Sequence, residues 1–168
     1  LPVSEAIRHG GLANHARVDI RWVASDICET PEGAQRALAG VDAIVVPGGF
    51  GVRGIEGKVG ALRWAREHRV PTLGLCLGLQ CMVIEVARDL LDLTAASSTE
   101  MEPETPDPVV TTMDSQRRFV TGGGDLGGTL RLGAYPAVFA PASIVAGGYG
   151  CTETRQGQRP RFAVTHAH

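Results

Sequence analysis

The sequence predicts an α/β fold: a doubly wound, mainly parallel sheet flanked by helices, with additional antiparallel strands in the second half. Three observations predict it. Two continuous apolar runs, VDAIVVP (41–47) and VPTLGLC (70–76), read as strands buried on both faces, the pattern of an interior parallel sheet. Each run leads through a glycine-containing bend into a segment of helical periodicity, so strand and helix alternate. The stretch TGGGDLGGTLRLGAYPAVFA (121–140) instead offers short strand-like pieces broken by glycine, which suits antiparallel hairpins.

In chain order, VSEAIRH (3–9) reads as the end of a helix stopped by Gly10 and Gly11. RVDIRWV (17–23) alternates apolar with polar residues and reads as a strand. In ETPEGAQRALAG (29–40), Thr30 suits an N-cap, Pro31 the first helical position, Leu38 the last turn and Gly40 the C-cap. After the strand 41–47, GGFGVRG (48–54) is a loop. EGKVGALRWAREHR (56–69) is an amphipathic helix with Val59, Leu62 and either Trp64 or Ala65 inward. The strand 70–76 follows, then LGLQCMVIEVARDLL (77–91), a helix with Met82, Val83, Val86 and Leu90 along one side. The acidic, proline-rich STEMEPETPDPVV (98–110) reads as an extended loop, and 151–168 is polar with no clear element.

The 168 residues fit one domain, and 43% hydrophobic content is enough for a core. A formal charge of −2 shows no cationic excess, which argues against a nucleic-acid partner. The four cysteines form no CxxC pair, so neither a disulfide framework nor a zinc site is expected, and a reducing cytoplasm is the natural compartment. No run approaches the roughly 18 apolar residues of a membrane span. The first residues lack the basic start and apolar stretch of a signal peptide, and Leu rather than Met stands first, so a fragment or processed chain is expected.

GLCLG (74–78) carries the chemistry. It matches G-x-nucleophile-x-G, in which a sharp bend between a buried strand and a helix exposes the central side chain. A small apolar residue in a tight turn is the plainer reading of Cys76, but the strand before it and the helix after it favour a nucleophile. The helix N-terminus favours the thiolate, and the Leu77 N–H faces a developing oxyanion. Because ligands of open α/β sheets bind beyond the carboxyl ends of the strands, PGGFG (47–51) reaches the same edge, with the Gly49 N–H as second donor. GGFGVRG lacks the GK[ST] ending of a phosphate loop. Cys28, Cys81 and Cys151 read as packing residues.

PGGFGVRGIEGK, GLCLGLQ, SSTE and GGTLRLGAYP, in that order between residues 3 and 150, closely resemble the class I glutamine amidotransferase domain of the CTP synthase family. The resemblance implies a flavodoxin-like fold and hydrolysis of L-glutamine at Cys76. Ammonia would pass to a separate synthase domain that aminates UTP to CTP using ATP and Mg²⁺, with GTP as activator. No cofactor and no metal would belong to the amidotransferase domain itself, and the full enzyme would be a homo-oligomer. Gly49 and Leu77 would form the oxyanion hole. Gly49, Leu77, Gly78, Leu79 and Gln80 would line the glutamine site. Glu100 would hold the substrate's α-amino group, Arg161 its carboxylate, and Arg131 would be structural or near the GTP site.

The family continues into a histidine- and arginine-rich stretch and a distal HPE that bears the catalytic histidine and glutamate. Residues 151–168 do not follow that pattern, so the resemblance divides the chain into a partial, C-terminally truncated amidotransferase domain, 1–150, and a divergent or frayed tail, 151–168. His166 and His168 lack the Pro and Glu context, and His9, His15 and His68 have no visible partner. The expectation is weak or absent activity for this chain alone. The alternatives are a non-catalytic remnant that binds glutamine or a partner subunit, and a γ-glutamyl hydrolase, which would not be expected to carry GGTLRLGAYP.

Overall fold

The computed structural model describes residues 2–49, 52–112, 133–158 and 162–165. The chain divides into two compact units that meet in sequence at Val110 and Thr111. The predicted positions of Arg131, Arg161, His166 and His168 lie outside the described residues.

In the first unit, helix α1 (Pro2–Ala13) runs through Gly10 and Gly11 instead of stopping before them. A helical glycine costs about 1 kcal/mol relative to alanine, but the bare Cα of Gly11 lets Val18 fold back against it. Asn14 ends the helix, its Nδ2 donating to the Gly10 carbonyl at 2.8 Å. Residues 16–24, read as containing a strand, form no ladder among the described residues. The alternation seen in the sequence survives as exposure: Val18, Ile20 and Val23 are half-buried, while Asp19 and Arg21 are exposed. Arg21 donates to the carbonyls of Ala37 and Ala39, both at 3.1 Å, and so ties the segment to a helix terminus rather than to a strand.

A 3-10 turn (Ser25–Glu29) precedes helix α2 (Pro31–Leu38). Its cap is the predicted one: Gly33 N–H donates to Thr30 Oγ1 at 3.1 Å, with Pro31 at the helix start. Strand β1 (Ile44–Val46), helix α3 (Ile55–Glu67), strand β2 (Thr72–Gly74) and helix α4 (Leu77–Leu90) follow. β1 and β2 pair in parallel with Ile44 opposite Thr72 and Val46 opposite Gly74. A core of Cys28, Ala34, Leu38, Ala61, Trp64 and Ala65 joins α2, α3 and the 3-10 turn, backed by Ile44 and Val70. Trp64 Nε1 donates to Gln35 Oε1 at 2.7 Å, which satisfies the one polar atom of that buried ring.

The inward face predicted for α3 is the observed one, but that of α4 is not. α4 buries Leu77, Gly78, Cys81, Ile84, Glu85 and Ala87. Val86 and Leu90 are exposed at 40% and 55%, and Met82 and Val83 are half-buried. Two contacts turn the helix this way. Gly78 passes against the Val46 carbonyl, and buried Glu85 accepts from Arg66 Nε of α3 at 2.7 Å. An ion pair takes a place that hydrophobic periodicity had assigned to aliphatic side chains.

Residues 98–110, read as a loop, contain ordered pairing. Strand β3 (Ser97–Ser98) lies parallel to β4 (Pro108–Thr112), with a bulge between Ser97 and Ser98. The intervening turn is anchored by Thr105, whose buried hydroxyl donates to the Ala95 carbonyl at 2.7 Å.

In the second unit, β5 (Gly133–Val138) and β6 (Glu153–Gln158) form the antiparallel hairpin that the glycine-broken segment suggested. Helix α5 (Ile144–Tyr149) connects them, capped by Ser143, and β7 (Phe162–Val164) comes last. Thus part of the polar stretch 151–168 is a paired strand, held to β5 from Glu153 through Gln158.

Candidate active site

Cys76 stands between the end of β2 and the first residue of α4, with φ 54° and ψ −109°. A non-glycine residue there is strained, by an amount on the order of 1–3 kcal/mol. The surroundings enforce the bend. Leu75 N–H donates to the Val46 carbonyl at 2.9 Å, which extends the parallel ladder to the cysteine's doorstep. Gly78 N–H then reaches back to Leu75 O at 2.9 Å, and Gln80 N–H to Cys76 O at 3.2 Å.

Both flanking glycines are required by close approach. A Cβ on Gly74 would stand 2.6 Å from Met82 Sδ and 2.7 Å from backbone atoms of Gly78 and Leu79. A Cβ on Gly78 would overlap the Val46 carbonyl oxygen. The helix start is therefore pressed onto β1, and the cysteine is carried up and out.

The loop after β1 reaches the same place. The position of a Cβ on Gly48 would be 3.2 Å from Cys76 Cβ and 3.9 Å from its Sγ, and one on Gly49 would be 3.4 Å from Leu77 Cδ2. Cys76 is exposed and makes no capping hydrogen bond. The structure thus brings together Cys76, the Gly48–Gly49 pair and Leu77–Gln80, of which Gly78 is buried, Gln80 half-buried and Leu79 exposed.

The other cysteines differ. Cys81 is fully buried, and burial pushes its thiol up to about 11. Burial raises Cys28 as well. Cys151 was expected to pack but is exposed, because it follows the left-handed Gly150 in the turn between α5 and β6.

Glu100 sits in the turn after β3, half-buried, with its N–H donating to Ser98 Oγ at 3.2 Å. No ion pair holds its carboxylate among the described residues, and no hydrogen bond joins it to the Cys76 bend. His9 and His15 are exposed in and just after α1, and His68 stacks on Trp64 at 4.2 Å. None of these three approaches Cys76 through a hydrogen bond. No group of three or more metal-ligating side chains occurs among the described residues, nor is any helix among them long and apolar enough to cross a membrane.

Sequence reasoning missed the charged cluster between α3 and α4. Arg63 pairs with Asp89, and Arg66 with both Glu85 and Asp89. Burial pushes the Glu85 carboxyl up, against the pull of Arg66. Burial pushes Asp89 up too, but the hydrogen bond from Arg63 and the surrounding charges outweigh it, and its carboxyl lies below the usual range. The spacings were visible: two acids four apart on one helix, two arginines three apart on its predecessor.

The chain matches the model of the class-I glutamine amidotransferases over residues 2–168. It belongs to that family. Among curated relatives, this amidotransferase chain is 60% identical over all 168 residues to the CTP synthases of Acidothermus cellulolyticus and Corynebacterium kroppenstedtii. It spans about 30% of the length of each. Among solved structures it resembles the glutaminase domain of Trypanosoma brucei CTPS with bound acivicin, at a TM-score of 0.85 and 35% identity. That match covers 96% of this chain and 61% of the other. The family match and the alignments to the CTP synthases run through residues 151–168, beyond the last motif recognised in the sequence. The α/β class predicted from the strand and helix alternation is the class of this amidotransferase fold.

Proposed function

We propose that the chain carries the nucleophile and substrate-cradle part of a glutaminase, the portion of a CTP synthase that releases ammonia for amination of UTP. The observation that carries this is the exposed Cys76, held in a positive-φ bend beside Gly48. In this reading the Cys76 thiolate attacks the carboxamide carbon of glutamine. The oxyanion that forms accepts hydrogen bonds from the N–H groups of Leu77 and Gly49. Collapse expels ammonia and leaves a thioester on Cys76, which water hydrolyses to glutamate. Leu77 to Gln80 flank the substrate, and Glu100 receives its α-ammonium as a charge-assisted pair. Arg161 is assigned to its carboxylate by family resemblance.

The cycle needs a base for the thiol and an acid for the leaving ammonia. The described residues set neither beside the sulfur, so the reading is weak or absent glutamine hydrolysis for this chain alone. ATP, Mg²⁺ and GTP belong, on this view, to the synthase portion that the longer relatives carry. The compartment is the cytoplasm.

The test is modification by a glutamine-analogue electrophile followed by peptide mapping. The expected result is stoichiometric label on Cys76 that glutamine blocks and Cys76→Ala abolishes. Label spread between Cys76 and Cys151, indifferent to glutamine, would overturn the assignment and favour a non-catalytic remnant.

A further inference from the structure

Three lengths of chain carry the proposed site. One is α4, with Cys76 at its N-terminus. Another is the Gly48–Gly49 pair after β1, in the stretch of sequence that precedes α3. The last is the turn after β3, which bears Glu100. A single side chain of α4 contacts the segments adjoining the other two, the start of α3 and the residue before β3. Arg88 of α4 donates through Nε to the carbonyl of Ala96, at 2.8 Å. Through Nη1 it donates to both carboxylate oxygens of Glu56, at 3.1 and 2.8 Å. Ala96 is fully buried and immediately precedes β3, while Glu56 is the second residue of α3. The Arg88 side chain is only 19% exposed, against 62% for Glu56.

The chemistry of the guanidinium suits this post. Its fork of donors points in fixed directions, so one planar group can serve two acceptors on different elements; an ammonium on a flexible stem does not hold that geometry. Nearby contacts lack the same reach. The Arg63–Asp89 and Arg66–Glu85 pairs tie α4 to the C-terminal half of α3 but do not touch the approach to β3. Lys58 Nζ donates to the Gly54 carbonyl at 3.2 Å and so closes the loop only upon itself.

We propose that Arg88 is a positioning residue for the glutaminase site. It sets the separation between the Gly48–Gly49 loop and the Glu100 turn relative to the helix that presents Cys76. Twelve residues of helix put it about 18 Å from the sulfur, so it acts without touching substrate. The role rests on the proposed glutaminase reading.

The test compares the unaltered 168-residue chain with Arg88→Ala, Arg88→Lys and Glu56→Gln. Three quantities are measured: the half-saturating concentration of a γ-diazoketone glutamine analogue for labelling Cys76, the rate of labelling by iodoacetamide, and amide exchange at Lys58, Ser97 and Thr99. Arg88→Ala is expected to raise the half-saturating concentration about 10-fold or more and to leave the iodoacetamide rate within about 2-fold, because misplaced recognition groups affect only the oriented ligand. Exchange at Lys58 and at Ser97 and Thr99 should quicken together, by about 10-fold, as two remote segments lose one tether. Arg88→Lys should not rescue either effect. Glu56→Gln, a change at an exposed position, should quicken Lys58 alone and raise the half-saturating concentration by a smaller factor.

Unchanged half-saturation in a folded Arg88→Ala protein, or exchange that quickens at only one segment, overturns the proposal. If Arg88→Ala does not fold, unchanged half-saturation in Glu56→Gln does so. If the unaltered chain shows no saturable labelling, the glutaminase reading fails, and the paired exchange response still decides whether Arg88 couples the two segments.

Discussion

The two ends of α4 are held by opposite means. At its N-terminus the main chain does the work: Gly74 and Gly78 let backbone pass against backbone, and no side-chain hydrogen bond caps the helix. Toward its C-terminus the helix is held by charged side chains, Glu85, Arg88 and Asp89, each matched to a residue of α3. A backbone-held end tolerates no added atoms, because there is nothing flexible to yield. An ion-paired end tolerates geometric change but responds to protons and to the loss of a partner.

The comparison can be broken most sharply at Gly78. Gly78→Ala drives a methyl group into the Val46 carbonyl and should cost about 3 kcal/mol or more, read as a large fall in unfolding midpoint. A loss below about 1 kcal/mol would mean that the helix start can slide, and the contrast would fail. At the other end, Arg66→Met leaves buried Glu85 without its partner. The expected loss is about 2–3 kcal/mol by denaturant titration, less than for a fully buried pair because Arg66 is one-third exposed.

Cys76→Gly tests the strain directly. It removes the sulfur and relieves the positive-φ penalty, so reactivity disappears while stability should rise by about 1 kcal/mol despite the added chain entropy. A fall in midpoint would show that the bend is unstrained.

The pH response belongs to the charged end. Asp89 has its carboxyl below the ordinary range in the folded protein, so it contributes stability that is full above the unfolded value and is lost as pH falls through the folded one. Glu85, pushed up by burial, works in the opposite sense and costs stability as pH rises through its raised value. Asp89→Asn should therefore flatten the acid side of a plot of unfolding midpoint against pH, and Glu85→Gln should not. The smallest effect is one of selectivity. At pH 8 iodoacetamide should modify Cys76 and Cys151 and spare Cys28 and Cys81 in the folded chain, since burial holds the Cys81 thiol near 11. Mapping the modified peptides checks this.

The same contrast explains what was legible in the sequence. The bend at Cys76 could be read because close backbone passage admits only glycine, and glycine at fixed spacing is a written sign. The Thr30 cap and the inward face of α3 were legible for similar local reasons. The rotation of α4 was not. Periodicity assigned Val86 and Leu90 to the interior, whereas Glu85 was drawn in by an arginine nineteen residues away, a partnership no local pattern declares. The helix through Gly10 and Gly11 escaped notice because its compensation, Val18, comes from the following segment. The segment 17–23 shows the limit from the other side: alternation fixed which residues turn inward, but strand pairing needs a second chain segment, and Arg21 found a helix terminus instead.

The crowding of Gly78 against Val46 has a consequence for engineering. The bend is imposed by neighbours that never contact the reactive atom, so the address is independent of its occupant. A serine installed at position 76 would inherit the same outward stance, and oxygen could be compared with sulfur there on an unchanged frame.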